Sequence, residues 1–225
     1  MQPTLSTNQP ISIKERAATI TVKTLSIYLI LIIVPGYFIN QLSLEGTAFE
    51  GMKGYVWFAY FMMVTFGYKE IRRFIASLLN VRVFREKETY VWMFVSFFIP
   101  YGILHLCLYY EVFLNEYFIY QVKYNMLPAG NLWQTIDAAV LTPVTEEIMV
   151  RGIILSMLLK RVKPLWAITI TSMLFGLIHP SSAWMFTIAG GFLLTLTAYK
   201  TKSILPGIVA HALWNLYMVQ LILYF

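Results

Sequence analysis

The stretch AAVLTPVTEEIMVRGIILSMLL, residues 138–159, decides the fold. It has the length and apolarity of a membrane-crossing helix, yet it carries Glu146, Glu147 and Arg151 near its middle. A spanning helix needs about 20 mostly apolar residues. Each charge inside one costs at least ~2.5–3.5 kcal/mol on insertion scales, which makes such residues functional candidates by default.

Outward from this stretch the chain continues in the same style. Seven apolar segments run roughly over 18–40, 52–68, 89–112, 131–159, 164–180, 183–199 and 203–224. Of the 225 residues, 59% are hydrophobic and only 12% charged, against roughly 25% charged in soluble domains. The 16% aromatic content, with Tyr and Trp near segment ends, suits interfacial belts. The expected fold is all-α, a polytopic transmembrane helical bundle of about seven spans. Pro164 and Pro206 fall in the first turn of their segments, where a missing N–H costs nothing.

The distribution of charge predicts topology. Lys14, Arg16 and Lys23 precede the first segment or open it. Lys69, Arg72, Arg73, Arg82, Arg85 and Lys87 follow the second. Lys160, Arg161 and Lys163 follow the fourth, and Lys200 and Lys202 the sixth. With seven alternating spans these fourteen fall on one side, against Lys53 and Lys123 on the other. Basic loops stay cytoplasmic, so the N-terminus is expected in the cytoplasm and the C-terminus outside. The net charge of +6 is then orientation information, and nucleic acid is not an expected partner. Met1 to Gln9 lack the pattern of a cleavable signal peptide. Residues 69–90 mix apolar and basic residues, as in an amphipathic helix on the inner leaflet. The lone Cys107 excludes an internal disulfide and a Cys-based zinc site and reads as a buried small hydrophobe. The expected organisation is a cytoplasmic tail (1–17), N-terminal helices with a basic loop (18–130) and a catalytic core (131–221).

Helical spacing separates the polar residues. Glu147 and Arg151 are i,i+4 and can pair on one face, an arrangement that also serves simply to lock helix packing. Glu146 is turned about 100° away, with Met149 and Val150 where a cation would stand. A carboxylate without a cation in low dielectric is suited to exchanging a proton near neutral pH. His211 and Asn215 share a face of the last segment, and lipid offers them no polar partner, so Glu146 and His179 are their expected partners. His105 has no polar neighbour at helical spacing and reads as structural. Gly176, Gly190 and Gly191 read as close helix contacts.

Taken together, Glu-Glu-x-x-x-Arg (Glu146, Glu147, Arg151), Phe-x-x-x-His (Phe175, His179) and His-x-x-x-Asn (His211, Asn215) resemble the CPBP family. These are the CAAX-processing and bacteriocin-processing (Abi) intramembrane proteases. The resemblance covers roughly residues 131–221, and no motif position departs from the pattern. It implies an intramembrane endopeptidase in which Glu146 activates water and His179 holds it. His211 and Asn215 would line an oxyanion hole, with Glu147 and Arg151 supporting the site. Glu146, His179 and His211 could also ligate a divalent metal such as zinc. The pattern is not the His-Glu-x-x-His of zinc proteases, and a glutamate-activated water needs no metal, which tilts the expectation towards the metal-free route.

The implied partners are a peptide or protein substrate at the membrane and the lipid bilayer. Candidate substrates are prenylated tails, bacteriocin or pheromone precursors and anchored regulatory proteins. The short chain resembles bacterial members, which implies a bacterial plasma membrane. A second reading is a non-catalytic scaffold or bacteriocin-immunity protein that sequesters a partner, against which the intact motifs argue. A third, a proton-coupled transporter, lacks the duplicated half common in transporter folds.

Overall fold

Backbone amides in an apolar setting must find partners within their own segment, so long apolar stretches fold as helices. The computed structural model describes residue 13 and residues 20–41, 51–127, 131–180, 183–220 and 222. Among these the secondary structure is helical, with no strand. The helices are α1 (Val22–Gln41), α2 (Lys53–Gly67), α3 (Lys69–Leu78), α4 (Lys87–Tyr110) and α5 (Glu116–Lys123). A continuous rod then comprises α6 (Leu132–Ile136), a π-helical turn (Asp137–Leu141), α7 (Thr142–Glu147), a second π-helical turn (Ile148–Ile154) and α8 (Leu155–Arg161). Helices α9 (Pro164–Leu177), α10 (Trp184–Thr201) and α11 (Leu205–Val219) complete the bundle. Met1 to Gln9, Lys14 and Arg16, named above, lie outside the described residues.

Each of the seven apolar segments holds a helix. Val22–Ile39 and Lys87–Tyr110 are long and apolar enough to cross a membrane unaided, whereas Pro164–Leu177 and Leu205–Val219 are shorter. The outside of the bundle is apolar: Ile30, Ile33 and Phe38 on α1 and Val91, Phe94 and Leu106 on α4 are exposed. That is the reverse of a water-soluble surface, on which large contiguous apolar patches are rare.

The amphipathic segment is α3, but its apolar face does not meet lipid. Ile71, Phe74, Ile75 and Leu78 are buried in the main core with residues of α1, α2 and the rod, leaving Lys69, Arg72 and Arg73 exposed. Gly152 allows this approach, since a Cβ there would stand 3.1 Å from Ile75 Cδ1. The expectation of a helix on the leaflet is corrected accordingly. Cys107 is buried, as its apolar setting predicts.

The first π-turn has a local cause. Pro143 offers no N–H, and the Thr142 N–H reaches back five residues to the Asp137 carbonyl. Asn215 of α11 donates to this turn, its Nδ2 reaching the Ala138 carbonyl at 2.8 Å. Such π-turns recur at functional sites, and this one ties the rod to α11.

Candidate active site

Arg151 is completely buried, and every nitrogen of its guanidinium is used. Nη1 donates to Glu147 Oε1 at 2.8 Å, Nε to Thr195 Oγ1 at 3.2 Å and Nη2 to the Gly191 carbonyl at 3.1 Å. Its Cζ also lies 4.4 Å from the ring centre of Phe175, a cation–π contact. Arg151 therefore joins the rod to both α9 and α10. Gly191 makes this possible, because a Cβ there would stand 2.8 Å from Phe175.

Glu147 is equally buried. Its Oε1 takes the Arg151 bond and a second from His211 Nδ1 at 3.0 Å. Its Oε2 has no hydrogen-bond partner among the described residues. That oxygen rests against Gly207 in the first turn of α11, where a Cβ would come within 2.9 Å. The positive end of the α11 dipole favours a carboxylate there.

Glu146 differs from its neighbour. Its side chain keeps 24% of its accessibility, and Oε2 lies 3.7 Å from His211 Nε2. That is too long for a direct hydrogen bond. His211 therefore stands between two carboxylates, locked to Glu147 through one nitrogen and facing Glu146 with the other.

His179 lies just past the end of α9, where its backbone N–H bonds the Gly176 carbonyl. Its Nδ1 is 2.7 Å from the Phe175 carbonyl. A carbonyl only accepts, so Nδ1 carries a proton, and in the neutral ring Nε2 presents a lone pair. Phe175 also packs its ring edge-on with both imidazoles, at centroid distances of 4.7 Å to His179 and 5.9 Å to His211.

A cavity of about 200 Å³ opens among His179, His211, Asn215, Gly190, Phe186 and Trp214. Glu146 is not among its wall residues and meets it through His211.

The structure thus gathers Glu146, Glu147, Arg151, Phe175, His179 and His211, with Asn215 beside them. Three sequence expectations change. Asn215 bonds the Ala138 carbonyl in the π-turn rather than Glu146 or His179. Gly176 and Gly191 are close contacts, against Ile188 and Phe175, but Gly190 has open space on its Cβ side and lines the cavity. His211 contacts Glu147 beside Glu146, where Glu146 and His179 were the expected partners. His105 binds Tyr217 Oη at 2.6 Å, as befits a packing residue.

The donor chemistry of Glu146, His179 and His211 would suit a divalent metal, but their positions do not fit one. Among the described residues no three His, Cys, Asp or Glu side chains come together closely enough to hold an ion.

Thr195, the Gly191 carbonyl and Gly207 belong to this site although no motif contains them. The spacing Gly191-x-x-x-Thr195, small residues one turn apart on an apolar helix, is the signal that could have marked the first two. Gly207, in the first turn of the helix that bears His211, carries no such mark.

Residues 128–217 match the family described as type II CAAX prenyl endopeptidase Rce1-like. No curated protein and no solved structure matches the chain. The matched stretch contains all seven motif residues, from Glu146 to Asn215. Over residues 128–217 the chain is therefore similar to the Rce1-like type II CAAX prenyl endopeptidases.

Proposed function

We propose that this protein hydrolyses a peptide bond of a membrane-associated substrate with water activated by Glu146. The observation that carries this reading is the 3.7 Å gap between Glu146 Oε2 and His211 Nε2, beside a Glu147 wholly committed to structure. One water at about 2.8 Å from each atom fits that gap. Glu146 takes a proton from the water as its oxygen bonds to the substrate carbonyl carbon. The same carboxylic acid then returns the proton to the amide nitrogen as the C–N bond breaks, which restores the Glu146 carboxylate and leaves a carboxylic acid and an amine that exchange a proton to become carboxylate and ammonium.

The neighbouring groups support these steps. His179 Nε2 accepts a hydrogen bond and can hold the water. The Asn215 amide has two N–H groups, and Ala138 engages one. The other serves the developing oxyanion, together with His211 when that imidazole is protonated. Glu147 fixes the His211 ring, and Arg151 fixes Glu147.

The proposed topology is seven crossings with the N-terminus in the cytoplasm, since fourteen of seventeen basic residues then share one side. Candidate substrates remain prenylated tails, bacteriocin or pheromone precursors and anchored regulators, in a bacterial plasma membrane.

The test is Glu146→Gln in the full chain, reconstituted in liposomes with lipid-anchored reporter peptides. Cleavage should fall by about 10²–10⁴-fold, the usual contribution of a general base. Full retained cleavage would sink the proposal, and a scaffold would tolerate the change. A chelator should leave wild-type cleavage unchanged if glutamate alone activates the water. Loss on chelation with rescue by zinc would instead favour a metal held by Glu146, His179 and His211.

A further inference from the structure

The end of α10 remote from the histidines borders a second cavity of about 640 Å³. Lys160, Arg161, Lys163, Lys200 and Lys202 line it. No Asp or Glu does so among the described residues. Lys160 Nζ donates to the Ile20 carbonyl at 3.1 Å, and Lys200 Nζ lies 5.8 Å from the Trp92 ring centre. Both partners are neutral, so the positive charge stays uncompensated by them. Burial, and after it the charge of Arg161, lower the Lys160 pKa below its ordinary value.

A cytoplasmic excess of Lys and Arg explains why basic residues lie on this side, and helix C-termini favour cations. Neither explains Lys163. It is the N-cap of α9 and makes no capping hydrogen bond. Ser, Thr, Asp and Asn favour that position, and the helix dipole opposes a cation there. Lys163 suits its helix poorly and would suit an anion well. The first turn of α9 also directs backbone N–H groups towards this end, an arrangement that favours phosphate.

The surroundings favour a lipid over a soluble anion. Beside Pro164, Leu165 and Trp166 are 66% and 60% exposed on the apolar exterior. Leu159, Val162 and Pro164 give the cavity an apolar wall. We propose that this cavity binds the phosphate of an anionic phospholipid headgroup, its acyl chains running along Leu165 and Trp166. Basic pockets between membrane helices bind such headgroups through the same chemistry.

The full chain in nanodiscs tests this, with bound lipid counted by native mass spectrometry and the thermal midpoint followed in parallel. Phosphatidylglycerol in a phosphatidylcholine background should remain bound and raise the midpoint. Inorganic phosphate in pure phosphatidylcholine discs should do neither. The exposed pair Arg161→Gln/Lys163→Gln should weaken phosphatidylglycerol binding by about fivefold per cation. The control pair Arg72→Gln/Arg73→Gln on α3 should leave it unchanged. Equal losses from both double variants would mean diffuse surface charge and overturn the assignment. So would an inorganic phosphate effect matching that of the lipid.

Discussion

Glu146 and Glu147 are adjacent in sequence, yet they belong to two different regions. Around Glu147 every neighbour is fixed: it has no exposure, it shares Oε1 between Arg151 and His211, and its Oε2 presses on Gly207. Around Glu146 there is space, with a quarter of the side chain accessible and a gap to His211 instead of a bond. A buried ion pair is poor evidence for stability, since desolvation can exceed its Coulombic gain. Its value here is positional. The buried network fixes the His211 imidazole through Nδ1 and leaves Nε2 facing Glu146.

The sharpest way to break this contrast is to substitute each glutamate with glutamine. Glu146→Gln should abolish most hydrolysis and leave the thermal midpoint nearly unchanged. Glu147→Gln should leave Arg151 buried without its counter-charge, a loss of about 3–5 kcal/mol of stability. Thermal denaturation in detergent, run beside the cleavage assay, separates the two. If both variants behave alike, the division between a fixed and a working carboxylate is wrong.

The sequence reveals these two regions unequally. The helices are readable because hydropathy directly reports which segments need internally paired backbones, and Glu147–Arg151 is readable because i,i+4 is a property of one helix. His211 bridging both glutamates is not readable, since it depends on how α11 rotates against the rod. Asn215 is misread for a related reason. The Ala138 carbonyl that it bonds lies in the π-turn before Pro143, and propensity gives no warning of which register a helix takes before a proline. The apolar face of α3 was visible, but a face of Ile and Phe looks the same whether lipid or protein covers it.

Asn215 gives the next largest effect, because it belongs to both regions. Asn215→Ala should remove the part-buried hydrogen bond to the Ala138 carbonyl, costing about 0.5–1.5 kcal/mol, the net worth of a typical hydrogen bond. It should also slow cleavage by removing an oxyanion donor, by up to about 10²–10³-fold. Asn215→Asp can accept but not donate once ionised, so it should fail to restore either property. If Asn215→Ala loses stability but keeps full turnover, Asn215 is only a strut for the π-turn.

The smallest effects come from a second adjacent pair, Gly190 and Gly191. On α10 the two glycines look equivalent in sequence, and the helix rotates them into different roles. A Cβ on Gly191 would collide with Phe175, the ring on which the Arg151 guanidinium rests. Gly191→Ala should therefore cost about 1–3 kcal/mol through overpacking, and cleavage should fall with folding. A Cβ on Gly190 meets nothing within 4 Å and projects into space at the cavity. Gly190→Ala should hold or slightly raise stability, since alanine is the better helix former by about 1 kcal/mol. It should still lower kcat/KM, by about tenfold if the added methyl occupies space that the substrate needs. A stable protein with impaired cleavage is the outcome that only a substrate cavity explains. Undiminished cleavage by Gly190→Ala would place the substrate elsewhere, nearer the exposed edge of Glu146.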